Sequence, residues 1–98
     1  MSLILSRNIG EVVCIGDTIT VQVADLDALQ VVTPDGWYTA KMDGDEVLQV
    51  TPEITVTIVR HNGNRQIALC VVAPRYIPVD RYEVRQRIIN GVPRKKKS

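Results

Sequence analysis

The sequence predicts a small, mainly β protein of a single domain. Two runs, Ile19-Thr20-Val21-Gln22-Val23 and Ile54-Thr55-Val56-Thr57-Ile58, alternate apolar and polar residues with the period of two of a half-buried strand. Gly, Pro, Asn and Asp punctuate the chain every few residues, as closely spaced turns require. Finally, 45% of the 98 residues are hydrophobic, yet the aromatics are only Trp37, Tyr38, Tyr76 and Tyr82. The core must be built from Val, Ile and Leu, which favour strands.

In chain order, Leu3-Ile4-Leu5 opens a short apolar strand and Glu11 to Ile15 forms a second, with Gly10 and Gly16 supplying the turns. Ile19 to Val23 is the third. Leu29 to Thr33, Trp37 to Met42 and Val47 to Val50 are three short strands separated by Pro34-Asp35-Gly36 and Asp43-Gly44-Asp45. Ile54 to Ile58 leads to the turn His61-Asn62-Gly63-Asn64, and Ile67 to Ala73 is a nearly continuous apolar strand closed by Pro74. Tyr76 to Val79 is extended, and Pro78, having no N–H, places it at a sheet edge. One helix is expected from Asp80, as N-cap with Glu83 three residues on, to a stop at Gly91 and Pro93. A basic tail, 91–98, contains Arg94-Lys95-Lys96-Lys97. Two internal echoes stand out: ALQVVTP (28–34) with VLQVTP (47–52), and TITVQV (18–23) with EITVTIV (53–59).

The formal charge of +1 conceals a division. Residues 24–53 carry seven acids against Lys41 alone, a net −6, whereas the other 68 residues hold eleven bases and four acids, a net +7. A basic body is what a nucleic-acid partner requires, and solubility is the competing explanation. No apolar run reaches the roughly 18 residues of a membrane helix, and no charged leader precedes Leu3, so a soluble, cytoplasmic protein without a membrane partner is expected. Cys14 and Cys70 read as two reduced, buried thiols, with a disulfide as the alternative. One histidine, His61, and no nucleophile beside a base give no support for an enzyme, a metal site or a cofactor.

With 24–53 set aside, LILSRNIGEVVCIGD followed by ITVTIVRHNGNRQIALCVVAPRYIPVDRYEVRQRI resembles the carbon storage regulator (CsrA/RsmA) family over about two thirds of the chain. The resemblance rests on an ordered series: LIL-S-R, I-G-E, I-G-D, I-T-V-T-I-V, G-N, A-P and V-D-R-x-E-V-x-Q-R-I. It implies a five-stranded subunit with a C-terminal helix in a strand-exchanged homodimer, here with 24–53 as an acidic, β-rich insertion. It also implies binding of mRNA at GGA motifs in hairpin loops, repressing translation or altering mRNA stability.

Carried over residue by residue, the resemblance implies RNA contacts at Leu5, Ser6 and Arg7 of the first strand and at Val79 and Arg81 of the last, with Ala73, Pro74 and Arg75 on the approach. Two such sites per dimer would each join the first strand of one chain to the last strand of the other. Loop bases offer edges to backbone groups and faces to Leu5 or Val79, and arginines suit phosphates or guanine. Read without the family, Leu5 and Val79 are dimer core and Arg81 is a surface residue at a helix start. The sequence departs from the family pattern at Asn8, Asp80 and Ala68, each standing where a basic residue or histidine is common. The insertion suggests either an acidic gate over the RNA surface or a docking face for a protein partner, with Trp37 and Tyr38 forming a miniature core or that face. The alternative to an RNA-binding regulator is a protein-interaction module on the same scaffold.

Overall fold

A computed structural model describes residues 2–89 and folds into two antiparallel sheets and one helix. The elements are β1 (Ser2–Asn8), β2 (Val12–Ile15), β3 (Ile19–Asp25), β4 (Ala28–Thr33), β5 (Gly36–Lys41), β6 (Val47–Thr51), β7 (Ile54–Asn62), β8 (Gln66–Val72), β9 (Val79–Arg81) and α1 (Tyr82–Ile89). One sheet has the order β1-β8-β7-β6 and the other β5-β4-β3-β2-β9. The basic tail 91–98 lies outside the described residues.

The alternation read from the sequence sets the inner faces. Ile19, Val21 and Val23 of β3 and Ile54, Val56 and Ile58 of β7 are buried, while the Thr and Gln residues between them are partly solvated. Leu29 and Val31 of β4 and Ile67, Leu69 and Val71 of β8 complete one continuous core with Leu5, Val13, Ile15, Met42 and Ala73. Each such side chain contributes about 1.5–3 kcal/mol when fully buried. Ile67, Ala68 and Leu69 are buried in succession, which is why β8 reads as a continuous apolar run rather than an alternating one. Both Cys14 and Cys70 are free thiols, and burial pushes the Cys14 thiol up from its ordinary pKa.

Several expectations are corrected. The three strands of segment 24–53 are divided between the sheets: β4 and β5 extend the sheet of β3, whereas β6 joins the sheet of β7. Its Leu29, Val31 and Met42 belong to the common core. Trp37 is no miniature core, being 68% exposed on edge strand β5. The last strand begins only at Val79, because residues 74–77 form a turn in which the Ile77 N–H donates to the Pro74 carbonyl at 3.0 Å; Pro78 contributes a carbonyl that accepts the Gly16 N–H at 2.8 Å. Asp80 lies within that strand opposite Cys14, and the helix starts at Tyr82. The first echo joins unlike positions, since 28–34 falls on β4 and 47–52 on β6, whereas the second joins β3 and β7, which occupy like positions in the two sheets.

Candidate nucleic-acid interface

β1 and β9 form edges of different sheets, and side chains bring those edges together. Arg7, near the end of β1, is 5% exposed because its guanidinium reaches across to the helix that follows β9. It donates from Nη1 to Glu83 Oε1 and from Nη2 to Glu83 Oε2, each at 2.9 Å, and from Nη1 to the Val12 carbonyl at 3.3 Å. Glu11 adds a second carboxylate 3.6 Å away. This two-point grip holds the Glu83 carboxyl down to about 2 and raises the Arg7 pKa, chiefly through the same hydrogen bonds. Arg81 lowers the Glu83 pKa further through space.

A second arginine fixes the same corner. Arg85 of α1 donates from Nε to Asp80 Oδ2 at 3.1 Å and from Nη1 to the Gly16 carbonyl at 2.6 Å. Gly16 holds φ at +63°, a conformation that glycine adopts without steric cost. The inward carboxylate of Asp80 therefore positions the helix rather than facing a phosphate path.

The sequence-predicted residues divide by burial. Leu5, Arg7 and Ala73 are buried; Ser6, Pro74, Val79 and Arg81 are half-buried; Arg75 is exposed. Leu5 and Ala73 are core, and Val79 packs against it. Arg7 is engaged by acids, whereas Arg75 is exposed and Arg81 is half-buried. Ala68 and Asn8 each have a definite place in the β1–β8 ladder. Ala68 is fully buried opposite Ser6, leaving no room for a long basic side chain. The Asn8 carboxamide oxygen accepts from Gln66 Nε2 at 3.1 Å across the β1–β8 ladder.

The chain matches no protein-family model, no curated protein and no solved structure. The geometry of the corner is therefore what bears on function. Sequence reasoning missed Glu83 as a site residue and assigned it to capping the helix. The paired Arg7 and Glu83 lie 76 positions apart, and no local pattern in the sequence signals their pairing. Beside them opens a pocket lined by Arg7, Gly10, Glu11, Val12, Tyr82 and Glu83. Among the described residues no helix is long and apolar enough to cross a membrane.

Proposed function

We propose that this protein is an RNA-binding post-transcriptional regulator of the cytoplasm, binding GGA-containing mRNA leaders to repress translation or alter mRNA stability. The observation that carries this reading is the convergence of β1 and β9, the two segments to which the family resemblance assigns RNA contact, at one corner of the sandwich. Among the described residues no strand neighbours the outer side of β1, whose backbone donors and acceptors make a suitable edge for unstacked bases. Arg75 and Arg81 supply positive charge to the phosphates around it. The strands of the acidic segment, β4, β5 and β6, lie toward the opposite edges of both sheets, which separates them from this corner.

The exposed Trp37 on edge strand β5 favours a second reading, a protein-interaction module, because large exposed aromatics mark docking faces. A fluorescence titration with a GGA-loop hairpin at several salt concentrations separates the two. RNA recognition predicts tight binding to GGA over a scrambled loop, weakening with salt, and a loss of about tenfold or more in Arg81→Ala. Equal binding to both loops, or none, overturns the RNA reading.

A further inference from the structure

The two sheets repeat one another. β3 pairs with β4 as Thr20↔Val32, Val21↔Val31, Gln22↔Gln30 and Val23↔Leu29, and then, after an irregularity, Asp25↔Ala28. β7 pairs with β8 as Thr55↔Val72, Val56↔Val71, Thr57↔Cys70 and Ile58↔Leu69, and then, after an irregularity at the same point, Arg60↔Ala68. The first member of each pair advances by 35 positions and the second by 40. The same shift of 35 turns the β2–β3 pairs Val12↔Gln22, Val13↔Val21 and Cys14↔Thr20 into the β6–β7 pairs Val47↔Thr57, Leu48↔Val56 and Gln49↔Thr55.

The turns repeat as well. Glu11 Oε1 accepts the Asn8 N–H at 2.7 Å, and Glu46 Oε1, 35 positions on, accepts the Asp43 N–H at 2.9 Å. The sequence retains the relation in ALQVVTP (28–34) and ALCVVAP (68–74), which share five of seven residues, and in ITV at 19–21 and 54–56. A slip of one residue in any ladder reverses every side chain it carries, so agreement across several ladders, an irregularity and a turn is a property of the whole unit.

The first strands complete the pattern crosswise. β1 pairs with β8 (Leu3↔Val71, Leu5↔Leu69, Ser6↔Ala68), and β5 pairs with β4 at the shifted positions (Tyr38↔Val31, Ala40↔Leu29, Lys41↔Ala28). We infer that the chain is an internal duplication whose repeats, β1–β4 and β5–β8, exchange their first strands within one polypeptide, so that it works as a monomer with one complete recognition edge. The link Pro34-Asp35 explains how: a two-residue turn forces β5 onto β4, the place that β1 takes on β8 through the tertiary fold.

The repeats are unequal at their ends. After β8 the chain continues into β9, which pairs with β2, and into α1, whose Glu83 holds Arg7. After β4 it turns directly into β5, so among the described residues β6 has no strand in the place corresponding to β9. The position matching Arg7 is Met42, which is buried in the core. Val50 of β6 lines an open groove together with Trp37 and Tyr38 at the β4–β5 hairpin. The basic corner is thus built once per chain.

The inference of one RNA site rests on the function proposed above; the inference of a monomer does not. Light scattering on the full chain, from micromolar concentrations upward, should give a mass near 10.9 kDa at every concentration. A mass of twice that value, as a strand-exchanged homodimer requires, overturns the inference. The GGA-loop hairpin should then saturate at one RNA per chain, and a ratio of two RNAs per chain, or of one RNA per two chains, overturns the single edge. If the hairpin does not bind, the proposed function falls and the mass alone decides the inference.

Discussion

Arg7 and Glu83 join the first strand to the C-terminal helix by two parallel hydrogen bonds of 2.9 Å. The guanidinium is buried whereas the carboxylate is half exposed, at 52%. The two residues therefore respond differently to replacement. Glu83→Gln leaves a charged Arg7 with the Ser6 and Val12 carbonyls and Glu11 as remaining partners. It should cost about 1 kcal/mol, the upper end for an exposed pair, because water reaches the carboxylate. Arg7→Met should cost less than this per lost bond, since it removes the buried charge together with its partners' task. Urea midpoints of the two variants check the order.

The same pair sets a response to acid. The Glu83 carboxyl is held at about 2 in the folded chain, below its ordinary 4.5. A lowered folded-state pKa means that the unfolded chain binds the proton more readily. The contribution of Glu83 is therefore complete above about pH 4.5 and is lost as pH falls toward 2. Stability measured over that window should fall more steeply in the wild type than in Glu83→Gln. Equal slopes would show that the pair does not form in solution.

Asp80 and Arg85 form the more enclosed pair, with side chains 7% and 13% exposed. Removing one partner of a buried pair costs about 3–5 kcal/mol. Asp80→Asn should approach the lower figure, because Arg85 keeps the Gly16 carbonyl. Amide exchange in α1 should accelerate before that in β3 and β7, since the helix is fixed to the sheets by this arginine and by Glu83.

Gly16 is sensitive for a different reason. A Cβ there would meet Ile77 Cγ2 at 3.5 Å, an ordinary contact, so space is sufficient. The backbone is not: at φ +63° an alanine costs about 1–2 kcal/mol. Gly16→Ala should lower the thermal midpoint without changing the fold, as circular dichroism would report.

Leu29 and Leu69 occupy matching positions of the two repeats and are both fully buried. Each leucine-to-alanine change should cost about 2–5 kcal/mol. Their similar cost would mark one shared core, measured by denaturant unfolding with a single transition. If residues 24–53 were dispensable to folding, Leu29→Ala would instead be nearly neutral.

Local sequence accounts for most of the strands, because the period of two in 19–23 and 54–58 and the glycine- and proline-bearing turns are short-range signals. It also marked the apolar run 67–73, in which Ile67, Ala68, Leu69, Val71 and Ala73 are buried, and the division of the chain into basic and acidic parts. The partners of these strands were not legible. Segment 24–53 looked separable because its charge and spacing differ from the rest, yet Leu29, Val31 and Met42 close the common core. Asp80 looked like a helix cap, since a cap is defined by neighbours in sequence, while the contact that holds its carboxylate comes from Arg85. Alternation, turns and charge reside in consecutive residues and are readable there. Which edge meets which, why β1 finds β8 and Arg7 finds Glu83, depends on bringing together residues 58 to 76 positions apart. That closure is a property of the packed sheets, and it made the first and last strands into one corner.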